Sequence, residues 1–133
     1  NRITGAGGDD FLTGRGGADV FVWRTLAEGA FDSESGDVIL DFNRAQGDRI
    51  DLSGIDAVAG GANNAFSFRG AADFTGRAGQ LRLGDRENIG DIHGDGVADF
   101  VTVLSGDVNG DGAADFGIRL LNVASLSAAD LVL

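Results

Sequence analysis

Apolar and polar residues alternate along this chain in short runs, and no segment holds a 3.6-residue period long enough to predict a long helix. Near the amino terminus the apolar positions recur every nine residues, at Ile3, Leu12 and Phe21. Asn1, Asp10 and Asp19 stand two places before them, and the stretches G-A-G-G-D-D and G-R-G-G-A-D lead into the last two. Residues 5–13 and 14–22 are therefore two copies of one unit, with part of a third in front. Each copy predicts a glycine-rich loop and a short strand whose middle side chain points inward. Two copies make one turn of a flattened roll, so the loops of alternate copies stack on the same side. A flexible glycine linker would show neither the regular phase nor an apolar residue in every copy.

Strand signals continue downstream. Residues 20–23 extend the roll, and 24–36 read as an irregular, partly acidic crossover. Residues 37–42 (D-V-I-L-D-F) and 49–52 (R-I-D-L) alternate as half-buried strands do, with 43–48 as the turn between them. Residues 65–68 and 80–83 predict further strands, separated by loops at 60–64 and 70–78. A second repeat follows: D-I-H-G-D-G-V-A-D-F at 91–100 and D-V-N-G-D-G-A-A-D-F at 107–116. Strands at 100–104 and 116–121 follow the two copies, the latter with Phe116, Ile118 and Leu120 on one face. The expected fold is all-β in one domain over 1–133. A short parallel β-roll and its crossover occupy 1–36, and an antiparallel β-sandwich cap occupies 37–133.

Composition narrows the function. The chain has 133 residues, 43% of them hydrophobic, enough for a core and unlike a disordered composition despite 23 glycines. It has no cysteine, so neither disulfides nor thiol chemistry are available. Its ten basic residues are all arginine and its net charge is −11. Such a domain repels nucleic acid and anionic membrane, and it repels itself unless cations neutralise it. No apolar run approaches a membrane span, and no signal peptide precedes the repeats. The chain starts at Asn1 in mid-repeat, which leads us to expect more repeats and a catalytic domain upstream. With no H-E-x-x-H there is no metalloprotease centre in this stretch.

The loops suggest an ion. Calcium takes six to eight oxygen ligands, and a glycine-rich loop with one aspartate offers inward carbonyls and a carboxylate in a small space. In the second late copy Asp107, Asn109 and Asp111 fall at places 1, 3 and 5. Gly112 permits a sharp turn at place 6, Ala113 offers a carbonyl at place 7, and Asp115 closes at place 9. This is the EF-hand progression cut short and set between strands. The other reading is a turn whose side chains cap their own backbone. The first late copy keeps Asp91, Asp95 and Asp99 but puts His93 at place 3, a poor ligand for a hard cation and more simply a loop histidine. Asp37, Asp41, Asp48 and Asp51 bracket two strands. Asp37 and Asp41, four apart, are expected on one side, where they either hold a further ion or stand as solvated edge carboxylates. The chain ends with Asp130 before Leu131, Val132 and Leu133. As structure this is a last strand, and as function an apolar tail that an export machine reads before folding.

The ordered series resembles the C-terminal domain of serralysin-type secreted metalloproteases, within the wider RTX group. It comprises G-R-G-G-A-D-V-F-V, D-V-I-L-D-F with G-D-R-I-D-L-S-G-I-D, N-A-F-S-F-R-G, F-T-G-R-A-G-Q-L-R-L, D-V-N-G-D-G-A-A-D-F and S-L-S-A-A-D-L-V-L. The resemblance implies a non-catalytic, calcium-loaded module of a bacterial exoprotein. It would be exported through a type I (ABC-transporter) channel and would fold outside the cell, with Asp130 to Leu133 in the secretion signal. Carried over by position, the calcium ligands would be the carbonyls of Ala6 and Gly8 with Asp10, and those of Arg15 and Gly17 with Asp19. Trp23, Thr25 and Asp37 would be partners on the next stacked loop. Ala6 and Arg15 replace the second glycine of the pattern, and Glu28 stands where the next aspartate would fall. A different class stays open: a calcium-dependent module binding a polysaccharide or a partner for an upstream enzyme.

Overall fold

A computed structural model describes residues 1–32 and 35–133, so that residues 33 and 34 of the expected crossover lie outside the described residues. The described chain is built of short β-strands, with 3-10 turns at Leu26–Gly29, Arg44–Gln46 and Ala128–Asp130 and no α-helix. None of its helices is long and apolar enough to cross a membrane.

The first five strands are β1 (Arg2–Ile3), β2 (Phe11–Leu12), β3 (Val20–Val22), β4 (Val38–Ile39) and β5 (Arg49–Asp51). They alternate between two sheets. One sheet holds β1, β3, β5 and the last strand, β11 (Leu131–Val132), all parallel. The nonapeptide phase sets the register: Ile3, Phe21, Ile50 and Leu131 lie in one cross-strand row. The facing sheet begins with β2 and β4, which align Leu12 with Ile39. Phe21, Ile39 and Ile50 are fully buried between the sheets. Of the inward positions expected, Leu12 and Phe21 belong to the core and Ile3, partly buried, packs against it.

The facing sheet continues through β10 (Phe116–Leu121), β9 (Asp99–Asp107), β7 (Gln80–Leu83) and β6 (Ser67–Phe68), with β8 (Glu87–Gly90) also paired to β9. Its pairings are mixed: β4 with β10 is parallel, β10 with β9 and β9 with β7 are antiparallel, and β7 with β6 is parallel again. Two expectations need correction. Parallel pairing does not end near residue 36, because 38–39 and 49–51 pair in parallel on different sheets, and residues 43–48 cross between the sheets. The downstream part is not purely antiparallel either. The first departure arises because β4 and β5 repeat the D-x-apolar spacing of β2 and β3 and so take the next places in the roll.

Phe116, Ile118 and Leu120 are all fully buried, as their alternation predicts. Gly106 lies opposite Phe116, and a Cβ there would come within 2.2 Å of the Phe116 ring. At Gly7 an added Cβ would meet nothing within 4 Å. Gly106→Ala is therefore expected to destabilise the fold by about 1–3 kcal/mol through overpacking, and Gly7→Ala to leave the melting temperature nearly unchanged. Equal thermal melts for the two variants would refute this packing.

Candidate functional site

The loops of the roll stack in two columns. On one side, the loop of residues 4–10 lies against the end of the 23–37 crossover: the Asp10 amide donates to Asp37 Oδ1 (3.0 Å) and the Gly36 amide to Asp9 Oδ1 (2.8 Å). On the other, the loop of residues 13–19 lies against 40–48. Gly14 and Arg15 donate to the two oxygens of Asp41 (2.8 and 2.6 Å), Gly17 to Gln46 Oε1 (3.1 Å), and Asp19 to Asp48 Oδ1 (2.9 Å). Apart from the Gly36 bond to Asp9, side-chain oxygens of the later turn thus satisfy backbone amides of the earlier one.

Within each nonapeptide loop the backbone takes positive φ twice, at Ala6 (70°) and Gly8 (108°), then at Arg15 (71°) and Gly17 (97°). This accounts for the glycine expected at the places of Ala6 and Arg15, where a side chain costs roughly 1 kcal/mol. The carboxylates of Asp10 and Asp19 fold back under the first residue of their own loops. A Cβ on Gly5 would lie 2.5 Å from Asp10 Oδ2, and one on Gly14 would lie 2.8 Å from Asp19 Oδ2. Both Oδ2 atoms are buried and have no hydrogen-bond partner. A buried carboxylate oxygen left unpaired is costly unless a cation completes it. The fit to a hard cation is good: the donors in reach are oxygens, and the space is one that only a glycine leaves open.

The other expected roll residues fall as follows. Asp37 is buried, and Trp23 Nε1 donates to its Oδ2 at 2.7 Å. Burial raises its pKa, against the opposing bonds from Trp23 and the Asp10 amide, with Asp10 and Asp9 adding like charge. A cation in this group would favour its charged form. Thr25 caps the 3-10 turn at Leu26–Gly29, and its carbonyl accepts from the Glu28 amide. Glu28 does not act as the next loop aspartate, because its carboxylate caps the Arg24 amide. Asp37, nine residues later, takes that place directly before β4.

The pairing of Asp37 with Asp41 on one side of a strand is not observed. β4 has only two residues, so the two aspartates flank its ends and serve opposite loop columns. Nor are these carboxylates solvated edges: Asp37, Asp48 and Asp51 are all buried. Asp51 accepts from Ser53 and from Arg2 (3.0 Å), which hold its pKa low against desolvation.

The two late loops share one hydrogen-bond pattern. Asp91 accepts from the amides of Gly94 and Gly96, and Asp107 from those of Gly110 and Gly112. Asp95 accepts from the Val97 amide, and Asp111 from that of Ala113. Place 3 is linked to place 9 in both copies, His93 Nδ1 to Asp99 Oδ1 at 2.9 Å and Asn109 Nδ2 to Asp115 Oδ1 at 2.8 Å. Among the described residues no group of three or more His, Asp or Glu side chains is placed to hold a metal ion. The carboxylate set expected from Asp107, Asp111 and Asp115, and from Asp91, Asp95 and Asp99, is therefore not gathered at one point. Their oxygens cap their own turns. In the roll loops backbone carbonyls, not carboxylates, would be most of the ligands.

The tail is not an exposed apolar end in the folded chain. Leu131 and Val132 align with Ile50 and Asp51, and Leu131 is buried. Asp130 accepts from the amide and hydroxyl of Ser127 and pairs with Arg44 at 3.0 Å.

Asp99 is a strongly perturbed carboxyl. The Asn122 amide (2.6 Å) is the largest influence, with His93 and the Ile92 amide adding to it, and together they outweigh burial and lower its pKa from 3.8 to about 2. A depressed folded pKa gives stability that is present above the unfolded value and lost as pH falls toward the folded one. Between pH 4 and pH 2 (about the span between those values) wild type in saturating calcium should lose more melting temperature than Asp99→Asn. Parallel curves for the two proteins would show that Asp99 does not contribute.

The sequence model of the family described as Peptidase M10 serralysin C terminal matches residues 1–133. Such domains are non-catalytic modules of larger, secreted proteins, and the family is known for calcium binding by its repeats. No curated protein is significantly similar to the chain. With its whole length matched and its repeats stacked as a roll, the chain belongs to the serralysin C-terminal family.

Proposed function

We propose that this chain is a calcium-dependent folding and export module, disordered where calcium is scarce and folded where it is plentiful. The observation that carries this is the pair of buried, unpartnered oxygens, Asp10 Oδ2 and Asp19 Oδ2, each enclosed by its own glycine loop. Asp10 with the carbonyls of Ala6 and Gly8 would hold one ion, facing the Trp23, Thr25 and Asp37 segment. Asp19 with the carbonyls of Arg15 and Gly17 would hold another, facing residues 40–48. Calcium would supply positive charge where backbone stacking has gathered carboxylates. A ligand that binds only the folded chain stabilises it by mass action, and with a net charge of −11 this chain has self-repulsion to relieve. The late loops at Asp91–Asp99 and Asp107–Asp115 act here as self-capped turns.

Export belongs to the same proposal. Asp130, Leu131, Val132 and Leu133 would be read by a type I secretion apparatus before folding, since after folding they form a strand. An upstream domain of the same protein would be the cargo. A polysaccharide platform is less well supported: it calls for a set of exposed aromatic planes, and with Trp23 1% exposed, Phe11 stands alone as a widely exposed ring among the described residues.

Circular dichroism with calcium added from a chelated start should show a disordered spectrum turning to β, and magnesium should fail to replace calcium. Asp10→Ala and Asp19→Ala should each move the midpoint to higher calcium. A chain fully folded in chelator, with the same melting point, would overturn the proposal. Separately, removal of residues 130–133 should abolish appearance of the protein in the medium of a type I-competent host. Secretion at the normal level would reject the signal while leaving the calcium switch standing.

A further inference from the structure

The outer face of the mixed sheet carries side chains that the core and the loop columns do not use. Along β10, Phe116, Ile118 and Leu120 point inward, which leaves Gly117 and Arg119 on the outer face. The chain covers part of that face itself. The Phe31 ring lies over Gly117, where a Cβ would come within 2.9 Å of it. Arg119 anchors the same segment by donating to the carbonyls of Ser35 and Asp32. Immediately beside this covered half is an open groove of about 390 Å³. Phe11, Val38, Val101 and Ile89 give it apolar walls from four strands, and Asp9 and Glu87 stand at its rim. Phe11 is 74% exposed and Ile89 38%. Phe11 is the most exposed large apolar side chain among the described residues.

We propose that this groove is a docking surface for a protein segment carrying an apolar side chain beside arginine or lysine. Two features of the molecule fix that chemistry. The first is its own precedent: the adjoining half of the face already accepts an aromatic ring from an irregular segment, Phe31 on Gly117. An exposed apolar groove next to it suits the same kind of anchor. The second is charge. The lining carries two carboxylates, Asp9 and Glu87, against one guanidinium, Arg119, whose terminal nitrogens already donate to carbonyls of its own chain, so the groove presents a surplus of negative charge to an incoming segment. Complementarity then asks for a positive flank. A second copy docked through the same groove would set Asp9 and Glu87 against Asp9 and Glu87, which like charge opposes.

The test uses the 133-residue chain in calcium with a fluorescein-labelled peptide of sequence Arg-Leu-Phe-Leu-Arg, and a control peptide with glutamate in place of each arginine. Fluorescence anisotropy should rise saturably with the basic peptide and not with the acidic one. Phe11→Ser and Ile89→Ser should each weaken binding about tenfold or more. Leu26→Ser, an exposed apolar change elsewhere, should leave it as in wild type. Glu87→Arg alters only an exposed rim charge, so it decides the case if an apolar variant fails to fold, and it too should weaken binding. The proposal is overturned if neither peptide binds, or if Phe11→Ser, Ile89→Ser and Glu87→Arg all bind like wild type. It is also overturned if sedimentation shows self-association that Phe11→Ser abolishes, which would make a second copy the occupant.

Discussion

The bond on which this fold depends is a side-chain carboxylate reaching back one full turn of the roll to accept a backbone N–H. The strands of the roll are two or three residues long, so their ladders are short. The glycine loops have neither helix nor ladder to satisfy their amides, and buried amides must be satisfied somewhere. Asp37, Asp41 and Asp48 do this for Asp10, for Gly14 and Arg15, and for Asp19. The device that orders the loops also concentrates negative charge. Asp37 is held buried next to Asp9 and Asp10, and its pKa rises as a result. Backbone stacking and the gathering of negative charge are thus two consequences of one arrangement.

The same arrangement reaches the carboxyl terminus. Residues 40–48 take part in one loop column through Asp41, Gln46 and Asp48, and from their outer side Arg44 pairs with Asp130. Asp130 in turn fixes Ser127 and leads into β11, whose Leu131 ends the apolar row begun by Ile3. A single connection therefore joins a candidate ion loop to the last strand. Ordering of residues 40–48 against 13–19 prepares the edge of β5 and the Arg44 side chain together. The terminal residues cannot at once lie along β5 and be held elsewhere, so whatever would bind the proposed signal must compete with this pairing.

Much of this was legible in the sequence, because period carries position. The nine-residue phase placed Leu12 and Phe21 in the core and Ile3 against it, and alternation placed Phe116, Ile118 and Leu120 in the core. What was missed has particular causes. D-V-I at 37–39 and D-R-I at 48–50 repeat the D-x-apolar signature of D-F-L and D-V-F. Without the glycine loop in front they read as ordinary alternating strands, and their parallel pairing went unseen. Asp37 stands eighteen residues after Asp19, two whole repeats, and that phase was the available signal. Partners at the two ends of the crossover, such as Trp23 Nε1 with Asp37, had none, since they depend on how a thirteen-residue crossover closes rather than on spacing.

The late loops show one turn built the same way twice. An EF-like progression specifies two separable things, a turn and a set of oxygens. The two copies hold the turn in common down to individual bonds, and they do so although place 3 is imidazole in one and carboxamide in the other. Both side chains deliver an N–H to the carboxylate at place 9, which is what the turn asks of that place. A cation would ask for an oxygen there, and His93 has none. The feature that survives the exchange of residue types is hydrogen-bond donation, so the common constraint on these loops is the turn before β9 and before β10. Each turn ends by setting an aspartate, Asp99 or Asp115, at the start of a strand that packs the core.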